Sequence, residues 1–182
     1  MGTTRALGLA AALWLAAAPA AAQTSRFALD TAASIDIDRG SQGGLLVGTA
    51  ITQRPELFNA AVIQVPLFDM LRYHLIGAGA SWIGEYGDPR IAEQRAWIER
   101  YSPYQHLTPG RTYPTPYIET STADDRVHPA HGRKAAARLQ QLGQPYYYYE
   151  NMEGGHAAAA NLQENARRVA MEYVYMTKRL VD

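Results

Sequence analysis

The sequence predicts an α/β fold with a mostly parallel sheet of about four strands flanked by helices. Three observations support this fold class. Short apolar or alternating stretches recur along the chain, longer stretches with helical patterning separate them, and a glycine-flanked serine directly follows the first strand-like stretch. Strands that alternate with helices are typical of a parallel sheet, so the chemistry is expected at the carboxyl ends of the strands.

The elements follow one another in a regular order. Strands are predicted over residues 34–38, 59–65, 117–121 and 146–150, and helices over 43–53, 69–73, 93–100, 129–142 and 157–180. Residues 77–81 are predicted to form an open loop. Residues 101–104 and 112–116 contain prolines and are predicted to form turns in a long connection. Pro55 and Pro66 end the elements before them, and Gly143 closes a helix, as these residue types commonly do.

Length and composition narrow the class of protein. A chain of 182 residues supports one domain with a core, and 47% of its residues are hydrophobic. Lys and Arg together number 17, as do Asp and Glu, so composition gives no reason to expect a nucleic-acid partner. The absence of cysteine from the sequence excludes disulfides, thiolate metal ligands and a cysteine nucleophile.

The N-terminus has the pattern of a secretory signal peptide. Arg5 precedes an apolar run over residues 6–18, and small residues at 20–22 offer a cleavage site before Gln23. The run is shorter than the roughly 20 residues of a membrane-spanning helix. We therefore expect a signal peptide over residues 1–22 and a periplasmic or secreted protein without a membrane anchor after cleavage.

Ser41 lies where a nucleophile would be exposed. The alternating stretch 34–38 ends just before Gly40, and a run of small residues suited to a helix follows Ser41. This is the pattern of a nucleophile elbow, which aims a serine Oγ out of a sharp turn between a strand and a helix. The backbone N–H of Gln42 would then lie at a helix N-terminus and stabilise an oxyanion.

An acid and a base follow the next strands in the expected order. Asp124 comes after the third predicted strand and His156 after the fourth, so the order is Ser, Asp, His. Alone, each of these residues is typical of a turn, a cap or a loop. Together they predict a triad in which His156 takes the Ser41 proton and Asp124 orients the imidazole. This chemistry requires no metal and no organic cofactor.

The other histidines have weaker functional interpretations. His128 and His131 are three residues apart at a helix start and could share a metal, but no third ligand is evident. Exposure at the surface is the favoured interpretation for this pair, while His74 and His106 are assigned to packing or capping.

Several segments together resemble the prolyl oligopeptidase family of serine peptidases. The matching segments are residues 40–46, 69–74, 82–87, 101–104, 124–127 and 154–156, which extend the resemblance from about residue 35 almost to the C-terminus. The resemblance implies an α/β-hydrolase fold and hydrolysis of peptide bonds after proline through an acyl-enzyme. A peptide is the implied substrate.

The resemblance also implies a substrate pocket. Trp82 corresponds to the indole that stacks on a substrate proline, with Tyr86 and Val127 beside it, and Arg126 to the side chain that hydrogen-bonds a peptide carbonyl. A flat pyrrolidine ring packs well on an aromatic face, and arginine offers several fixed donors. The alternative for Trp82 is a purely structural place in the core.

The sequence departs from the family pattern in three ways that affect its expected activity and stability. The chain is predicted to hold only a partial hydrolase domain over residues 23–182, without the propeller and the early strands. The family's tyrosine donor to the oxyanion has no counterpart, because the first tyrosine is Tyr73, and Arg39 replaces a glycine of the elbow. An uncovered strand edge also predicts self-association.

Two alternatives to a post-proline peptidase therefore stay open. One is a generic serine esterase or aminopeptidase-like hydrolase that uses the same triad. The other is an inactive remnant, or a fragment that depends on a partner.

Overall fold

The computed structural model describes residues 40–156 and 161–181, with the backbone alone at residues 40 and 41. The predicted signal peptide, the leader over residues 23–33, the predicted strand at 34–38 and Arg39 lie outside the described residues. The described residues therefore begin at the predicted elbow and include Asp124 and His156, the other two members of the predicted triad.

The described strands form a three-stranded parallel sheet in the order β1-β2-β3. These strands are β1 (Ala61–Gln64), β2 (Pro116–Ser121) and β3 (Tyr147–Asn151). In the register, Ile63 lies opposite Ile118, and Ile118 lies opposite Tyr148. Parallel pairing is thereby confirmed for three of the predicted strands, each within one or two residues of its predicted bounds.

Helices connect and flank the strands. They are α1 (Gly40–Gln53), α2 (Ile83–Tyr86), α3 (Ala92–Glu99), α4 (Pro103–His106), α5 (Ala130–Gln141) and α6 (Leu162–Leu180). Three short 3₁₀ helices cover Pro55–Leu57, Tyr73–Leu75 and Gly77–Trp82. At the start of α6, the Asn161 side chain accepts a hydrogen bond from the Glu164 N–H, as an N-cap does. Within the described ranges, no helix is both long and apolar enough to cross a membrane.

Two predicted segments after β1 differ from the structure. Residues 70–72 form a turn and Tyr73 begins a 3₁₀ helix, so the helix predicted over 69–73 is not formed. Side chains that are distant in the sequence bind backbone N–H groups of this segment. His131 accepts hydrogen bonds from the N–H groups of Phe68 and Asp69, and Ser102 accepts one from Met70. Residues 77–81 belong to a 3₁₀ helix and are not an open loop.

Helices cover both faces of the sheet. One face carries α1 and α5 over a core that includes Val47, Ile51, Ile63, Phe68, Ile118, Ala135 and Leu139. The other face carries α6, whose Tyr175 packs against Ala60, Val62 and Tyr117. The tyrosines of β3 alternate accordingly, with Tyr148 on the first face and Tyr149 on the second.

Helix α1 approaches the end of β1 so closely that only glycine fits at its second turn. A Cβ added at Gly44 would lie 2.6 Å from both the Gln64 carbonyl oxygen and the Pro66 Cα. This contact holds the first turn of α1 at the carboxyl end of the sheet. Ser41 is in that first turn, so the backbone places it at the edge where open α/β sheets carry their chemistry.

Candidate active site

The carboxyl ends of the three described strands bring the candidate residues to one edge of the sheet. The first turn of α1 lies beside the end of β1, the loop after β2 carries Asp124, and the loop after β3 carries His156. Because the strands are parallel, these three segments meet at the same edge. Their convergence there is a consequence of topology, since they are far apart in the sequence.

Asp124 is a buried carboxylate whose two oxygens have separate partners. Its Oδ1 accepts hydrogen bonds from the backbone N–H groups of Arg126 at 2.9 Å and Val127 at 2.8 Å. Its Oδ2 lies 2.8 Å from Nδ1 of His156, while the Asp124 side chain has no exposed surface. The two backbone hydrogen bonds fix the carboxylate plane, so Oδ2 has a defined direction toward the imidazole.

His156 is held on a loop that is itself tied to β2. Asn151 Oδ1 accepts hydrogen bonds from the N–H groups of Glu153 at 3.0 Å and Gly154 at 3.3 Å, and the Ser121 hydroxyl donates to the Gly154 carbonyl. An ionised carboxylate only accepts, so the Asp124 contact places the imidazole proton on Nδ1. Nε2 is then the nitrogen with a free lone pair, which is what a general base requires.

The backbone around the proposed nucleophile is helical from Gly40, whereas the sequence predicts a turn at Ser41 and a helix from residue 43. Ser41 is the second residue of α1, and its side chain lies outside the described part of the chain. Gln42 is the third residue, so its N–H belongs to the first four of the helix, which have no carbonyl partner within the helix. The Gln42 side chain is exposed, and its Nε2 donates to Glu85 Oε1 at 2.7 Å.

The structure brings Trp82, Tyr86 and Val127 into one apolar cluster. Val127 is among its buried members, while Trp82 and Tyr86 pack against it and stay partly exposed. The other buried members are Leu45, Leu67, Met70, Leu71, Tyr73 and Ile98. Trp82 is therefore not a fully buried core residue, and an aromatic wall lies next to α1. Arg126, which precedes Val127 in the sequence, is exposed.

A buried polar network supports the loop after β1. Asp69 has no exposed surface and pairs with Lys134, with Arg72 Nε at 3.0 Å and with Gln105 Nε2 at 2.8 Å. Burial alone would raise the pKa of Asp69, but the hydrogen bonds from Lys134 and Gln105 more than offset that effect and hold the pKa below its ordinary value. Residues 69–74 belong to the segments that carry the family resemblance, which by itself implies no role for them. This network supplies one.

The two paired histidines have different surroundings, and the expectation of surface exposure is wrong for His131. His128 is exposed, but His131 is 1% exposed, and its Nδ1 accepts from two backbone N–H groups at 3.2 Å each. A helical spacing of three residues does not reveal which ring faces the sheet. His106 caps α3 through the carbonyls of Glu99 and Arg100, as expected, and His74 packs edge-on against Tyr73.

The described residues offer little for a metal ion. In the ranges 40–156 and 161–181, no three His, Asp or Glu side chains come together in a way that could hold one. The polar groups in the loops after β2 and β3 form an acid–imidazole pair, and α1 begins at the same end of the sheet. This arrangement can accept and return a proton and can stabilise a nearby oxyanion.

Comparison with solved structures identifies the class of fold to which this chain belongs. A post-proline cleaving enzyme from Rickettsia typhi superimposes with a TM-score of 0.75 at 43% identity, over 78% of this chain and 20% of that enzyme. A chain from a structural study of two prolyl endopeptidases superimposes with a TM-score of 0.72 at 42% identity, over 78% of this chain and 21% of that chain. The fold is therefore that of an α/β-hydrolase catalytic domain.

The sequence comparisons define the family. Residues 17–182 match the prolyl oligopeptidase family, and the chain belongs to that family. It is 57% identical over 143 residues to an uncharacterised peptidase of Sinorhizobium fredii, which covers 79% of this chain and 20% of that protein. It is also 35% identical over 145 residues to a prolyl endopeptidase of Dictyostelium discoideum, covering 76% and 19% respectively. The chain thus spans about a fifth of the length of these relatives.

Proposed function

We propose that this chain carries a serine peptidase site that hydrolyses peptide bonds after proline. The observation that carries the proposal is the 2.8 Å contact between Asp124 Oδ2 and His156 Nδ1 at the sheet edge where α1 begins. A buried carboxylate that orients an imidazole from behind, beside a helix N-terminus, is the arrangement that activates a serine. Ser41 is the nucleophile in this proposal.

The proposed reaction follows from the roles of these groups. His156 Nε2 takes the Ser41 proton as Oγ attacks the scissile carbonyl carbon, and Asp124 stabilises the imidazolium. The Gln42 N–H donates to the oxyanion of the tetrahedral intermediate. The imidazolium then gives its proton to the leaving amine, which leaves an acyl-enzyme. Water attacks this ester with His156 again as base, and Ser41 is regenerated.

The proline preference rests on the aromatic wall and on the relatives. Several relatives are named prolyl endopeptidases, and the Rickettsia typhi enzyme is named for post-proline cleavage. In this chain Trp82 and Tyr86 keep part of their rings accessible above buried Val127. A flat pyrrolidine ring stacks well on such a surface, and exposed Arg126 offers hydrogen bonds to a peptide carbonyl.

Labelling by a fluorophosphonate tests the site directly. The full chain is expected to react at Ser41, and Ser41→Ala is expected to abolish labelling. His156→Ala and Asp124→Asn are expected to slow it by about three to four orders of magnitude, because the base or its tautomer is lost. His128→Ala is the matched control, since His128 is exposed and outside the proposed triad. Folded protein that is not labelled would refute the proposed site.

Chromogenic substrates then separate post-proline cleavage from the other serine-hydrolase activity. A peptide with proline before the scissile bond is expected to be cleaved faster than its alanine analogue, and Trp82→Ala is expected to reduce that preference. Equal rates on both peptides, with faster turnover of a simple ester, would favour a generic serine esterase or aminopeptidase-like hydrolase instead.

We also propose that the protein is exported and that it self-associates. Export rests on the signal-like sequence over residues 1–22, and N-terminal sequencing of the exported protein should begin near Gln23. Self-association rests on β1 and β3, which are the outer strands of the described sheet. Sedimentation of a monodisperse monomer at micromolar concentration would refute the second proposal.

A further inference from the structure

The side chain of Gln42 has a role that its backbone does not explain. We propose that Gln42 is a positioning residue, whose carboxamide holds the Trp82–Tyr86 wall against the first turn of α1 by binding Glu85. This inference rests on the proposed function, because it concerns the distance between the nucleophile turn and the substrate wall. It assigns Glu85 the role of the acceptor that makes the connection.

The connection is a single hydrogen bond between distant parts of the sequence. Gln42 Nε2 donates to Glu85 Oε1 at 2.7 Å, and 43 residues separate the two positions. Gln42 directly follows Ser41 in α1, and Glu85 precedes Tyr86 in α2. An ionised acceptor makes the hydrogen bond shorter and stronger than one between neutral groups.

Helix α2 needs such a contact because it is only four residues long. Its carboxyl end is held from the inner side, where the Tyr73 hydroxyl donates to the Gly87 carbonyl at 2.6 Å and the Tyr73 ring meets Tyr86 edge-on. These contacts fix α2 to the loop after β1. The hydrogen bond from Gln42 fixes it to α1, which is a different element.

The Gln42–Glu85 hydrogen bond matters for catalysis because of where it holds the Trp82–Tyr86 wall, more than because of its own strength. Trp82 and Tyr86 are partly exposed, so their rings are not locked by packing on every side. A displacement of about 1 Å between a substrate wall and a nucleophile is enough to reduce turnover strongly.

A swap of the two side chains provides the test. Gln42→Glu places two carboxylates in contact and should break the connection. The double variant Gln42→Glu/Glu85→Gln restores one amide–carboxylate hydrogen bond with donor and acceptor exchanged. Gln53→Glu is the matched control, because it makes the same change in an exposed residue at the other end of α1 and also removes a side-chain hydrogen bond there, from Gln53 Nε2 to the Arg100 carbonyl.

Two readouts are taken on the full chain. In the kinetics with the proline peptide, Gln42→Glu should lower kcat/KM about three- to tenfold and reduce the proline-over-alanine preference, and the double variant should recover most of both. In hydrogen exchange, the amides of residues 82–87 should exchange faster in Gln42→Glu and return to wild-type rates in the double variant. Gln53→Glu should change neither readout.

The readouts keep this inference separate from the proposed function. Exchange at residues 82–87 that is the same in wild type and Gln42→Glu would overturn the inference, whether or not the chain is active. Normal kcat/KM and normal proline preference in an active Gln42→Glu variant would also overturn it. A wild-type chain that cleaves no substrate would refute the proposed function. The exchange data would still decide whether Gln42 holds α2.

Discussion

The two faces of the sheet are built from different chemistry, although they share the same strands. The face under α1 and α5 is apolar and closely packed, with Ile63 and Ile118 fully buried. The face under α6 buries charged groups, with Glu119 and Arg168 each less than 5% exposed. Because alternate residues of β2 point to opposite faces, one strand serves both environments.

The charged face is an incompletely paired cluster. Arg168 Nε lies 3.6 Å from Glu119 Oε1, beyond hydrogen-bond distance, and Arg168 Nη1 donates to Glu172 Oε1 at 3.2 Å. Gln64 Nε2 also donates to Glu172 Oε1. Burial raises the pKa of Glu119 to about 8, and the nearby Arg168 only partly offsets this effect. The folded protein therefore favours the protonated form of this carboxyl.

The apolar face contains a titratable group with the opposite preference. His131 on α5 accepts two backbone hydrogen bonds through Nδ1, which only the neutral ring can do. Burial lowers the pKa of His131 to about 4, despite the opposing effect of the Asp69 carboxylate. Low pH should therefore destabilise the protein through His131 on the α5 face. High pH should destabilise it through Glu119 on the α6 face.

The largest expected effect is acid destabilisation through His131. Between pH 6.5 and about 4 the unfolded state binds a proton that the folded state excludes, so stability present above pH 6.5 is lost as the pH falls. The loss should reach about 3 kcal/mol in the free energy of unfolding. His131→Asn keeps an acceptor near the position of Nδ1 but does not titrate, so its pH profile should be flatter.

Denaturant unfolding of the full chain at a series of pH values checks this. Carboxylates also titrate in that range, so the measured quantity is the difference in slope between wild type and variant. His128→Asn serves as the control, because His128 is exposed and its replacement should leave the slope unchanged. An unchanged slope in His131→Asn would contradict the prediction.

A smaller effect is expected from the close packing of α5 on β2. A Cβ added at Gly132 would lie 2.2 Å from Thr120 Cγ2, so Gly132→Ala should destabilise the protein by about 1–3 kcal/mol. Thr120→Ser removes that methyl group and keeps the hydroxyl that bonds Tyr148. The double variant should therefore recover part of the loss.

Thermal melts of the single and double variants measure the coupling between the two positions. Gly84→Ala is the control, since a Cβ there meets nothing within 4 Å. Additive effects of Gly132→Ala and Thr120→Ser would show that the methyl contact is not the cause.

The elements with regular patterning were predictable from the sequence. The three described strands, α1, α3 and α5 lie within a few residues of their predicted bounds, because apolar periodicity and Pro or Gly stops determine them locally. The backbone of residues 69–72 was not predictable, since the hydrogen-bond partners of Asp69 and Met70 are His131 and Ser102, far along the chain. Burial of His131 was missed for the same reason.

The candidate site divides in the same way. The order of Ser41, Asp124 and His156 after successive strands made their convergence predictable, because parallel strands end at one edge. The contact between Gln42 and Glu85 was not, since neither residue belongs to a periodic pattern and the contact depends on how α2 sits against α1. Side-chain contacts between residues far apart in the sequence can be identified only from the three-dimensional structure.

The last prediction tests the charged face, where the pH dependence of stability has the opposite sign. The raised pKa of Glu119 means that the folded state holds a proton which the unfolded state releases above pH 4.5, so stability falls as the pH rises toward about 8.

Glu119→Gln imitates the protonated form and should remove this alkaline loss, while Glu153→Gln, at an exposed position, should not. The measurement is the free energy of unfolding at pH 5 and pH 8. Combined with His131→Asn, Glu119→Gln should yield a protein whose stability changes less at both ends of the pH range. An alkaline loss that persists in Glu119→Gln would show that Arg168 keeps Glu119 ionised, and the two faces would then not differ in the sign of their response.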